Sequence, residues 1–209
     1  MARRIFGFYA LPLYILVRPI KGFYNMKFEG QGKLKLAFFN YIMVCISFAF
    51  MSQYSSVLVN PRNPMRLNSF VDFMTITIIL ILFCVSNWSV TSLTNGEGKF
   101  KEIFMTVCYA MTPLVLLLIP AAVLSNILTE NETGFFFMLV SFASFWFVLL
   151  TFIGLIVIHN YTVSKALVTV ALTFVSFLII LFLITLLMTL LQQVYIFVNG
   201  IRTEISFRL

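Results

Sequence analysis

The chain has 209 residues, of which 61% are apolar, 17% aromatic and only 10% charged. Soluble domains are about a quarter charged, so this composition excludes a soluble globular protein and describes an all-α, polytopic membrane bundle. The net charge of +7 would suit nucleic acid, but the positive residues are spread over loops between apolar runs, which orients a membrane protein and implies no nucleic-acid partner.

Residues 1–35 precede the first full-length apolar run. The stretch from Ile5 to Val17 is apolar but short for a crossing, Pro12 interrupts it and Arg18-Pro19 closes it. No small-residue cleavage site follows, so it does not read as a signal peptide. Basic residues flank many aromatics here, which predicts an amphipathic segment at the cytoplasmic interface; the alternative is a poorly ordered tail.

Five apolar runs follow, at about 36–58, 70–93, 102–128, 135–159 and 166–191, within a membrane domain covering 36–200. Each reaches the roughly 20 residues that a bilayer demands, and backbone groups in lipid must bond within their own segment, so the runs are helices. The second ends in Asn87-Trp88-Ser89, and the fourth is rich in Phe, with Trp146 mid-span. Cys45, Cys84 and Cys108 fall inside spans, where they read as small packing residues.

The third run is broken by Pro113 and Pro120. Proline donates no backbone hydrogen bond and its ring presses on the carbonyl four residues earlier, here that of Tyr109 or Leu116. A kinked helix is expected, either as a tolerated bend or as a hinge or cavity lined by Thr106, Tyr109 and Thr112. Asn87 and Asn126, near span ends, are expected to bond a neighbouring helix or cap a turn.

The fifth run extends to Asn199, some 34 residues or about 51 Å at 1.5 Å per residue, against a hydrocarbon core of about 30 Å. The chain is therefore expected to emerge near Gln192-Gln193. Beyond these, Val194, Phe197, Val198, Ile201 and Ile205 recur at helical spacing, so 192–209 reads as an extracytoplasmic amphipathic end for lipid or a partner.

Catalytic chemistry has little to work with. Asp72, Glu102 and the single histidine, His159, all sit near span ends, where ionisable groups ordinarily face the interface. Gly96-Glu-Gly-Lys-Phe-Lys lacks phosphate-loop spacing and reads as a turn. No nucleophile-elbow motif or metal-ligand set is present, so no enzyme, cofactor or metal is expected.

At Tyr109-Ala-Met-Thr-Pro113 the chain resembles the third span of the Yip family, the Ypt- and Rab-interacting membrane proteins. The family motif is Gly-Tyr-x-x-x-Pro, and Cys108 stands where that glycine would be. Eukaryotic members carry Asp-Leu-Tyr-Gly-Pro before the first span, which this chain lacks. Similarity to the bacterial branch runs through Arg18-Pro19, Gly22-Phe23, Asn87-Trp88, Gly96 to Phe104, Pro120, Leu124-Ser-Asn126, His159-Asn-Tyr161, Lys165 and Glu204-Ile205. The resemblance implies five spans, a cytoplasmic N-terminus, an inner-membrane location and, for relatives encoded beside carbohydrate ABC importers, an accessory role with importer permeases as partners.

Three functions follow as expectations: a non-catalytic scaffold for other membrane proteins, a small-molecule transporter or channel, and a small-GTPase-linked trafficking factor. The residues expected to carry interaction are Asn87, Trp88, Tyr109, Pro113, Pro120, Asn126, His159, Gln192 and Gln193.

Charge sets the expected orientation. With the N-terminus inside, ten of the fourteen basic residues (Arg3, Arg4, Arg18, Lys21, Lys27, Lys33, Lys35, Lys99, Lys101 and Lys165) fall on the cytoplasmic side. Arg62, Arg66, Arg202 and Arg208 fall outside. Reporter fusions after Lys99 and Lys165 should therefore signal cytoplasm, and fusions after Asn131 and Leu209 the exterior. A cytoplasmic signal at Leu209 would overturn an N-in, C-out chain.

Overall fold

The computed structural model describes residues 10–60 and 68–208, and it is helical between its loops. Arg62 and Arg66 lie outside the described residues, as do Arg3 and Arg4. Two short helices, α1 (Ala10–Val17) and α2 (Pro19–Lys27), lead into α3 (Leu34–Tyr54) and α4 (Ser69–Leu93). The third span is divided into α5 (Phe100–Ala110) and α6 (Thr112–Ser125). A 3₁₀ turn, Glu130–Glu132, precedes α7 (Thr133–His159), and α8 (Val163–Arg208) closes the chain.

Five of these units are long and apolar enough to cross a bilayer: α3, α4, α5 with α6, α7 with its preceding turn, and α8. The broken third span is the most buried of the five and lies between α3 and α7. Helix α4 leans on α5 and α3, and α8 packs chiefly on α4. The apolar centre joins Val44, Cys84, Cys108, Leu118 and Leu150, so the cysteines at 45, 84 and 108 are buried, unbridged packing groups. Across α3 and α4 the hydroxyls of Tyr41 and Thr77 are hydrogen-bonded.

The third span breaks at one proline and not at the other. Pro113 is in the first turn of α6, where its missing N–H is no loss, and the helix restarts around Met111. Pro120 lies inside α6, which runs through it. The carbonyls freed at the break find side chains: Thr112 Oγ1 donates to Tyr109 O at 2.6 Å, and Asn40 Nδ2 donates to Cys108 O at 2.6 Å. Such bonds satisfy carbonyls at a helix break within an apolar interior.

The N-terminal segment does more than rest on a surface. Leu11 and Ile15 of α1, and Phe23 and Met26 of α2, are buried in the bundle, with α1 against α5 and α6 and α2 against α7. The two helices fold back sharply at Arg18, since a methyl at Gly22 would stand 2.6 Å from Ile15 Cγ1. Phe23 fills the slot that Gly154 leaves in α7 opposite Thr106; a methyl at Gly154 would stand 3.0 Å from Phe23 Cζ.

Helix α8 runs 46 residues without a break at Gln192-Gln193. Its first half lies against α4, with Ala166, Thr169 and Thr173 buried and Phe177 and Ile180 half-buried, whereas Gln192, Gln193, Val194, Phe197, Val198 and Ile201 are all exposed.

Because a methyl at Gly154 would collide with Thr106 Cγ2 and stand 3.0 Å from Phe23 Cζ, Gly154→Leu should push α7 off α5 and loosen the α1–α2 hairpin with it. The expected destabilisation is about 1–3 kcal/mol, the usual range for overpacking, read as a lower melting temperature and faster proteolysis near Arg18. Gly134→Ala, where an added methyl meets nothing within 4 Å, should leave both unchanged.

Candidate functional site

The glycine loop between α4 and α5 is the point where four elements meet. Helices α4 and α7 end there in the same way. Asn95 and Asn160 both take left-handed backbone angles, with φ of 54° and 55°. Asparagine tolerates that region, and the residue after it folds back to bond the carbonyl five positions earlier. Gly96 N–H donates to Thr91 O at 2.8 Å, and Tyr161 N–H donates to Ile156 O at 3.1 Å.

The paired turns press their side chains together. The Tyr161 ring stacks on His159 with centroids 5.2 Å apart, and its hydroxyl is 2.8 Å from Thr94 Oγ1. The loop can approach only because it carries glycine. A methyl at Gly96 would stand 2.5 Å from Tyr161 Oη, and one at Gly98 would stand 2.6 Å from His159 Cε1.

His159 is 2% exposed, so this span-end histidine is not the interface group that its position suggested. Its bonds form a directed chain. Gly98 N–H donates to His159 Nδ1 at 3.2 Å, which leaves Nε2 to carry the proton and donate to Asn87 Oδ1 at 3.3 Å. Asn87 Nδ2 then donates to Thr173 Oγ1 at 3.1 Å, and Thr173 donates to Thr169 O at 2.8 Å. The chain ties the loop, α7, α4 and α8 in one direction, with every member buried or nearly so.

Lys27 closes the site from α2. Its ammonium donates to Ile158 O at 2.5 Å, one of the carbonyls that a helix end leaves open, and lies 3.7 Å from the Glu97 carboxylate. Phe23 meets α7 at Gly154 and Lys27 meets it at Ile158, so α2 rises along the last turns of α7. Glu102 caps α5 by accepting from Lys99 N–H at 3.1 Å.

Two further polar clusters fix the bundle. Tyr109 Oη donates to Lys33 O at 2.9 Å and accepts from Lys33 N–H at 3.1 Å, so the buried tyrosine pins the start of α3 to the end of α5. At the opposite end Asn126 Nδ2 donates to Tyr54 O at 2.8 Å, and Ser56 N–H donates to Ser125 Oγ at 3.0 Å. The expected asparagines thus do bond across helices.

Of the residues expected to carry interaction, Asn87 and His159 come together, while Tyr109 and Pro113 share the break. Asn126 lies at the far end. Trp88 stands half-exposed beside the glycine loop, edge-on to Phe100. Pro120 and the exposed Gln192 and Gln193 join none of these clusters. Sequence reasoning missed Lys27, Asn40, Tyr161 and Thr173. An asparagine directly after an apolar run is a helix-stop signal that could have located both turns.

A family model described as the Yip1 domain matches residues 13–201, which runs from within α1 through most of α8. The chain belongs to the Yip1 family. It is a multi-pass membrane protein, and no curated protein or solved structure matches it. The break beside Tyr109 and the His159 chain both lie within the Yip1 match. Among the described residues of this Yip1-family chain, no group of three or more His, Cys, Asp or Glu could hold a metal ion.

The directed chain makes a quantitative expectation. Asn87→Leu strands His159 Nε2 and Thr173, and should destabilise the full-length protein by about 1–3 kcal/mol, read by thermal melting in detergent. Asn87→Leu with His159→Leu should lose less than the sum of the two single changes, because both remove the same bond. Strict additivity would show that the bond carries no energy.

Proposed function

We propose that this Yip1-family protein is a non-catalytic scaffold or subunit that binds other integral membrane proteins, with its glycine-loop end in the cytoplasm and its far end outside. The carrying observation is α8. It is held along its first half and presents Phe174, Leu178, Phe182 and Val194 through Val198 outward. At about 1.5 Å per residue its 46 residues span about 69 Å, more than twice a hydrocarbon core of about 30 Å, so lipid alone does not cover it. The polar side chains inside the bundle support the same reading. Asn40, Thr112, Tyr109, Ser125 and Asn126 each bond a backbone group at a helix end or break, which builds structure and leaves no acid–base pair.

The partner we would test first is a carbohydrate ABC importer permease in a plasma membrane, on the family resemblance. Deleting Val194–Leu209 should leave the spans inserted but abolish co-purification with the partner under mild detergent. If the full-length protein purifies alone from its host and passes a neutral solute in liposomes, the scaffold reading fails and a transporter replaces it.

A further inference from the structure

Helix α2 has two faces. Gly22, Phe23 and Met26 are packed into the bundle, while Ile20, Tyr24 and Phe28 point outward at helical spacing, and Val17 is exposed just before the Arg18 turn. Val17 is 76% exposed and Ile20 68%. Arg18 and Lys21 are interleaved with this stripe, and Lys33 and Lys35 follow where α3 begins beside the exposed Leu34 and Phe38. We infer that this surface binds anionic phospholipid, the apolar stripe seating acyl chains and Arg18, Lys21, Lys33 and Lys35 holding the phosphodiester headgroups.

Charge favours that occupant. Seven exposed cations stand at the glycine-loop end: Arg18, Lys21, Lys33, Lys35, Lys99, Lys101 and Lys165. The acidic residues there are already engaged, Glu97 with Lys27, Glu102 with the Lys99 N–H and Glu29 with Gln31. None of the seven cations pairs with a carboxylate among the described residues. Lys27, the one cation of α2 that is mostly buried, is also the one with a protein anion.

Depth favours it too. Helix α2 rises beside the final turns of α7, and the half-exposed Trp88 and Phe100 mark the same end of the bundle. Aromatic rings of that kind collect at the headgroup level, where basic side chains meet phosphate and apolar ones meet acyl chains. A soluble anion would need the cations but not the apolar stripe. A second copy of this chain would set like charges face to face.

The test uses the full-length protein, purified in mild detergent from membranes containing phosphatidylglycerol and phosphatidylcholine, with the retained lipid measured by mass spectrometry. Phosphatidylglycerol should be enriched over the bulk ratio, and the enrichment should be lost when Lys21→Gln, Lys33→Gln and Lys35→Gln are combined. Arg202→Gln, on the last turns of α8, should keep it. Ile20→Ser with Tyr24→Ser, which leaves the cations in place, should lower it. If the triple variant does not fold, raising salt on the unaltered protein must release the lipid, since exposed charge pairs are screened. Equal retention of both lipids, salt-insensitive retention, or displacement of the lipid by millimolar inorganic phosphate would each overturn the inference.

Discussion

A buried hydrogen bond between His159 and Asn87 joins two halves of the bundle at its glycine-loop end. One half is α2, α5 and α7, gathered by Phe23 and Lys27. The other is the α4–α8 pair, which packs extensively on itself and lightly on α7. In an apolar interior neither an imidazole nor an amide is tolerated without a partner, and each is the other's. The approach that permits the bond depends on Gly98, because any side chain there would occupy the ring's place.

The same rule governs the broken third span. Pro113 cannot bond the Tyr109 carbonyl, Thr112 Oγ1 does so instead, and Asn40 from α3 bonds the adjacent Cys108 carbonyl. Tyr109, four residues before the proline, then uses its hydroxyl twice on Lys33. The kink is therefore a joint between α3 and the third span, and its polar groups are spent on holding that joint.

The spans were legible because length and apolarity alone define them. The break was legible from Pro113, and the bonding of Asn87 and Asn126 from the expense of an amide in lipid. The burial of His159 was not, since its terminal position gives the same sequence signal as an exposed group. Its partners come from residues 72 positions away in Asn87 and 61 in Gly98. Lys27 looked like one basic residue among many, and only the fold-back at Arg18 sets it over the end of α7. Pro120 shows the reverse: a strong local signal that the surrounding helix absorbs.

The length of α8 makes it a mechanical lever. From Ile180, the last half-buried residue of the stretch packed on α4, to Arg208 the helix extends about 42 Å at about 1.5 Å per residue. A tilt of about 10° at that fulcrum carries the tip through about 7 Å, while the Asn87–Thr173 bond, about two turns inside the packed stretch, shifts by only a small fraction of that. A force applied at the far end, whether from bilayer thickness or a bound neighbour, is thereby passed to the α4–α8 seam, in which the Asn87–Thr173 bond lies.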